Sequence, residues 1–401
     1  MEKAFRPRVL LLASVCLICQ NSPVPFAPAG GKMKKKTALT LFALLPLIAL
    51  AAEPVRLFRE PGGGPGKVNP LTLSDQLLHP SSEFFYNENY FLIAITDGGH
   101  YGYVNILVSN TGAKPGMPAV SFTIVTPDKK RLVKDLDYQP EDLKMARDRF
   151  DLRVGANSFR QTPAGYELKV GDQTLGMELS YINRVPGFKI GDGRAVFGAK
   201  GEDIMYINYP GPRPDVTGKF FINGKTVPVA GWGYIDHSYT LTNPGNFEET
   251  WHNLKFRSDT HTLLVSSFGA PAKFERDFAL AIVTDQSKVI CVATDVRVTE
   301  EQVKKDEESG KMYPGRVRYE ARGDACAIKA VMDSSRLTEK FDVLAKLDRK
   351  AWGKAAKFVI NTFIAEPWYF RSVGPVELEL TTGGQTQKIR GNAFNEIIFT
   401  Q

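Results

Sequence analysis

From residue 83 onward the chain is a succession of short aromatic and β-branched runs, each cut off by a turn signal. That pattern constrains the fold more than any other feature, because it fits strands and leaves room for few helices. Runs fall at 83–96, 101–108, 120–125, 150–159, 166–170 and 175–182, with Asn-Thr-Gly at 110–112 and Pro-Asp-Lys-Lys at 127–130 between them. They resume at 219–222, 247–256, 261–267, 278–284, 289–294, 316–319, 327–331, 376–380 and 394–399. Many short strands at regular spacing predict barrels or sandwiches. Within 83–96, Asn87-Glu88-Asn89 reads as the turn of a hairpin. The charged run at 299–311 reads as a solvated loop or helical turn, and 140–149 as a short helix or charged loop. One amphipathic helix is expected at 348–364, where Trp352, Ala355, Val359 and Phe363 share a face.

The first 51 residues read as a leader rather than as fold. Lys34, Lys35 and Lys36 precede an apolar stretch, 39–50, and Ala49-Leu50-Ala51 ends it with a small-x-small site, the layout of a secretory signal peptide. A second apolar stretch, 9–19, lies upstream, so Met33 is the expected true start and 1–32 a mis-called extension. Residues 1–51 hold seven basic side chains and one acidic, which accounts for six of the seven net positive charges. The remainder is close to neutral, and no basic stripe marks a nucleic-acid surface. Periplasmic or secreted localisation is the expectation. Residues 52–66, which include Pro-Gly-Gly-Gly-Pro-Gly at 61–66, read as a linker. The rest is long enough for two domains, expected at 67–228 and 229–401. Cys291 and Cys326 lie beyond the leader; a disulfide and two buried thiols both fit their apolar contexts.

No G-x-G-x-x-G, P-loop or G-x-S-x-G pattern is present, so nucleotide-dependent and serine-hydrolase chemistry lacks support, and no cofactor is expected. The densest chemistry is in Gly-Trp-Gly-Tyr-Ile-Asp-His-Ser-Tyr at 231–239 and Glu-Glu-Thr-Trp-His-Asn-Leu-Lys-Phe at 248–256. On a strand Tyr234 and Asp236 face one side and His237 the other. A buried Asp236 would have its pKa raised and could donate a proton near neutrality. On residue types alone, an Asp-His-Ser run more simply caps a strand end or ties two barrels together through hydrogen bonds. Tyr234, Asp236 and His237 are the candidate catalytic residues, and Tyr209, Trp232, Trp251 and His252 the candidate ligand-binding ones. His237, His252 and His261 lack metal-ligand spacing, so no metal is expected.

Several segments resemble the fungal survival-factor proteins, a two-domain lipocalin-like family implicated in ceramide handling. They are 84–110, 152–168, 184–198 and 391–400, and their order and spacing match across nearly the whole chain beyond the leader. The segment 231–239 is more similar to the carotenoid 1,2-hydratase group, whose Tyr-x-Asp-His sequence matches Tyr234, Asp236 and His237. In that group the matching Asp is implicated as the acid that protonates a double bond. Ser238-Tyr239-Thr240 stand here where the hydratase pattern continues Asn-Trp-Gly, and this departure counts against hydratase activity.

The resemblance implies a mainly β fold of two lipocalin-like (calycin-like) β-barrels, to which the 348–364 helix would add one C-terminal amphipathic element. Two ligand-handling functions compete, beside a third reading as a structural or interaction protein of the envelope with no small ligand. The first is an exported carrier for a hydrophobic ligand, a ceramide-like lipid or an isoprenoid, held in a barrel mouth, with transient membrane contact. The second is an acid-catalysed hydratase, cyclase or isomerase of a polyene, with Asp236 as proton donor and Tyr234 and Trp251 facing a carbocation.

Overall fold

The computed structural model describes residues 52–399, apart from 112–113, 202, 244–245, 343–344 and 346–366. The leader expected at 1–51 and the helix expected at 348–364 both lie outside these residues. Sixteen strands between Val55 and Thr240 form one curled antiparallel sheet, and ten between Thr250 and Phe399 form a second. This is the mainly β, double lipocalin-like architecture expected.

Each side chain's place follows from the two-residue period of the strand. In Asn87–Thr96, Tyr90, Leu92 and Ala94 point into the first curl and pack with Val104, Phe122 and Leu168. Phe91, Ile93 and Ile95 point the other way and pack with Leu264, Phe268 and Ile282 of the second sheet. In Thr250–Arg257, Leu254 and Phe256 point into the second curl, with Val317 and Leu378. Among the described residues there are therefore three cores, one inside each curl and one between the two sheets. Strands covered on both faces lose the alternation of a half-exposed sheet. That is why Phe278–Thr284 reads as an unbroken apolar run.

Several expected boundaries differ. Asn87-Glu88-Asn89 is not a turn: Asn87–Thr96 is one continuous strand, with Asn87 and Glu88 buried. The expected linker contains a strand, Val55–Leu57, paired with Arg194–Phe197, and Phe58 beyond it is buried. The segment 299–311 begins inside the strand Asp295–Lys305, whose alternation of half-buried and exposed positions hid it. The long strand Lys225–Thr240 runs through position 228/229 and pairs wholly within the first sheet, so the chain changes sheets between 240 and 250. Gly231 permits its tight pairing, since a Cβ there would lie 2.1 Å from the Ile95 carbonyl oxygen.

Candidate functional site

A cavity of about 220 Å³ opens between the two sheets, beside the central apolar cluster. A single water needs about 10–15 Å³ by the same measure, so there is room for a small organic group. The first sheet contributes Asn87, Asn89 and Phe91 from one strand and Asp236, Ser238 and Thr240 from its neighbour. The second sheet contributes Trp251, Asn253 and Lys255, again alternate residues of one strand. Glu248 lies just before that strand and also lines the wall.

Charged side chains crowd one side. Arg371, 3% exposed, places Nη2 2.5 Å from Glu396 Oε2 and Nη1 3.3 Å from Glu339 Oε2. Its guanidinium lies 4.0 Å above the Tyr103 ring. Glu339 also pairs with Arg131 and accepts from the Tyr103 hydroxyl at 2.8 Å and the Tyr101 hydroxyl at 3.2 Å. Burial would raise the Glu339 pKa, but Arg371 and Arg131 hold it below the usual carboxylate range. Tyr101, Tyr103 and Arg131 belong to the first sheet, Glu339, Arg371 and Glu396 to the second, so the network joins the two.

Lys255 is buried with its ammonium 5.2 Å from the Tyr234 ring centre and 5.8 Å from that of Phe91. Burial lowers its pKa, against the charges of Glu396 and Asp236. Burial pushes Asp236 up to about 6, while the Lys255 ammonium and the Tyr234 hydroxyl pull it down. Asp236 is therefore largely ionised at neutral pH. Glu248 has no such neighbour: burial alone lifts it to about 8, so its carboxyl stays protonated at neutrality.

The structure divides the seven residues singled out in the sequence. Asp236 and Trp251 line the cavity. Tyr234 stands behind Asp236, and Tyr209 packs on Tyr234 with ring centres 6.4 Å apart. Trp232 lines a separate cleft with Tyr101 and Arg257. His252 faces away from the cavity, with Nε2 3.2 Å from Glu300. His237 points into the first curl, stacked on Tyr90 at 4.2 Å. Strand parity accounts for both: each histidine adjoins a residue that faces the cavity. Glu248 and Lys255 lie in the chemistry-dense segment 248–256 without having been singled out, while Arg371, Glu339 and Glu396 had no local signal beyond their charge.

His237 instead belongs to a closed network. Its Nε2 lies 2.6 Å from Glu88 Oε1, and its Nδ1 3.0 Å from the Asp75 carbonyl oxygen. His79 sets Nδ1 2.8 Å from the same Glu88 oxygen. The other Glu88 oxygen accepts from the Tyr86 hydroxyl and from the His79 amide at 2.8 Å. Among the described residues, His79, Glu88 and His237 are the only three His, Cys, Asp or Glu side chains whose potential metal-ligand atoms all lie within 4.8 Å of one another. Glu88 already takes hydrogen bonds from both rings and from the Tyr86 hydroxyl.

Burial would raise Glu88, but hydrogen bonds from His237 and His79 hold it to about 2. Its ordinary value is 4.5, so the pairing stabilises the fold above that pH and is lost as pH falls towards 2. Glu88→Gln is expected to cost about 1–3 kcal/mol at pH 7. The deficit relative to wild type should narrow at pH 3, measured by urea denaturation; an equal deficit at both would show that the Glu88 charge is not what stabilises.

A family model described as the Svf1 family matches residues 74–401. The ceramide-binding protein SVF1 of Eremothecium gossypii is 22% identical over 265 residues, 62% of this chain and 66% of that protein. The ceramide-binding protein SVF1 of Candida albicans is 22% identical over 162 residues, 39% of this chain and 41% of that protein. The chain thus spans just under two thirds of the first relative's length and less of the second. The crystal structure of CghA with Sch210972 has a similar fold, with TM-score 0.58 and 11% identity over 86% of this chain and 97% of that one. At that identity the likeness is one of fold.

Proposed function

Since the chain belongs to the Svf1 family, we propose that it binds and carries a ceramide-type lipid, with the ligand's polar end in the cavity between the sheets. The observation that carries this reading is the amphiphilic wall of that cavity, where Phe91, Ile207 and Phe247 face buried polar side chains. Relatives described as ceramide-binding proteins support the choice of ligand. A site built so suits a molecule with apolar chains and a compact polar head. Each buried methylene contributes about 0.8 kcal/mol, so the chains alone supply useful affinity without a catalytic group.

Carriage is favoured over conversion because the relatives that match in sequence are described as ceramide-binding proteins. Asp236, lifted to about 6, would suit a general acid, so its role is left to the Asp236→Asn test below.

The carrier reading includes export. The Cys291–Cys326 disulfide supports an oxidising destination, as does the signal-like segment at 33–51. Loading a lipid there would require transient contact with a membrane surface.

The test is to purify the protein from its native host, with an Asp236→Asn variant alongside, and to identify co-purifying lipids by mass spectrometry. One ceramide-type class, equal in both, is the expected result. Hydrated or cyclised product in the wild type, with unconverted precursor in the variant, would instead make Asp236 catalytic. Recovery of no lipid from either would count against carriage.

A further inference from the structure

Buried polar atoms in a native fold almost always find partners, and a cluster of exceptions calls for a cause. Twelve side-chain atoms among the described residues are closed off without one, and five belong to the wall of the cavity between the sheets. They are Asn87 Oδ1, Asn89 Oδ1, Thr240 Oγ1, Glu248 Oε1 and Trp251 Nε1. Asn87 and Thr240 face each other directly across paired strands, and Asn89 lies two residues along on the same face. Asn87, Thr240 and Glu248 are 4%, 7% and 3% exposed.

We propose that these five residues form a subsite for an uncharged head group that offers several N–H and O–H donors together with an amide carbonyl acceptor, as an N-acylated amino diol does. The inference rests on the lipid-carrier reading and adds which atoms of the lipid are read and by what. The two asparagine oxygens accept hydrogen bonds, the threonine hydroxyl can do either, and the indole N–H donates. A protonated Glu248 carboxyl offers one donor and one acceptor and brings no charge. An amide N–H and hydroxyls satisfy the acceptors, and the amide carbonyl satisfies Trp251. A diacylglycerol has one hydroxyl and no N–H, so it leaves most of these atoms unmet. A phosphate-bearing head meets these acceptors with like polarity, and the charges elsewhere on the wall, Asp236, Lys255, Arg371 and Glu396, are already set against one another.

Buried groups built to hydrogen-bond a ligand discriminate strongly against an analogue that lacks the matching group. The test uses the full chain and three fluorescent probes of equal chain length: a short-chain ceramide, a diacylglycerol and a fatty acid. Wild type, Glu248→Gln, Glu248→Leu and Asn87→Leu are titrated with each, and thermal unfolding shows which variants are folded. Wild type should bind the ceramide probe about tenfold or more tighter than the diacylglycerol probe. Glu248→Leu and Asn87→Leu should erase that preference while the diacylglycerol affinity stays within about twofold. Glu248→Gln, which keeps a neutral donor and acceptor and matches the wild-type side chain in shape, should keep the preference. Equal binding of ceramide and diacylglycerol by wild type would overturn the subsite while leaving lipid carriage intact. So would a parallel loss for every probe in the leucine variants, or loss of the preference in a folded Glu248→Gln. Failure of wild type to bind any probe would overturn the carrier reading itself.

Discussion

Arg371→Met is expected to lower the unfolding free energy by about 3–5 kcal/mol, the range for breaking one side of a buried ion pair. The guanidinium is held between Glu396 and Glu339 and stacked on Tyr103, with almost no contact with solvent. Methionine fills similar volume but leaves two carboxylates buried near each other. Glu339 keeps Arg131 and two tyrosine hydroxyls. Glu396 loses its only ion-pair partner among the described residues. Adding Glu396→Leu to the variant should therefore recover part of the loss, because the second change removes the stranded charge.

The pH dependence has a definite sign. Glu339 is held below its ordinary pKa in the fold. Its pairing stabilises above that ordinary value and fades as pH falls through the lowered one, so the Arg371→Met deficit should shrink in acid. Urea denaturation at pH 7 and at pH 4 measures both points. A deficit under about 1 kcal/mol at pH 7 would place the network in contact with water, as for an exposed pair.

Loss of the Cys291–Cys326 bond should cost about 3–4 kcal/mol, the loop-closure value for the 35-residue separation. Cys291 lies in Val289–Ala293, at one edge of the second sheet, and Cys326 in Cys326–Asp333, two strands from the other edge. The bond thus fastens the two ends of the curl over its own core, with Cα atoms 6.0 Å apart. A Cys291→Ala/Cys326→Ala variant should show the loss as a lower urea midpoint, and dithiothreitol should reproduce it in the wild type. Thiol titration of the unfolded, unreduced protein should find neither cysteine free. Two free thiols in protein recovered from the host would remove the bond, and with it one support for export.

Much was legible in the sequence, and for a local reason. Strand and turn chemistry act over a few residues, so the recurrent apolar runs fixed a mainly β chain, and the ordered segments between 84 and 400 carried the family resemblance. Parity along a strand put Tyr234 and Asp236 on one face and His237 on the other, as found. The same rule applied to Trp251 and His252 separates them as well, a signal present in the sequence and not used.

What only the tertiary structure decided depends on pairing between distant residues. Asn-Glu-Asn at 87–89 has the composition of a turn, and nothing nearby reveals that a second sheet covers it. Its polar side chains divide between the Glu88 network and the cavity wall. Lys255, Glu339, Arg371 and Glu396 look like solvated strand charges until register brings them together across up to 141 residues. The lipocalin-like resemblance directed attention to barrel interiors, yet the amphiphilic cavity lies between the sheets. A sequence gives each strand two faces through its period of two; which face is covered, and by what, is settled by the packing of one sheet on the other.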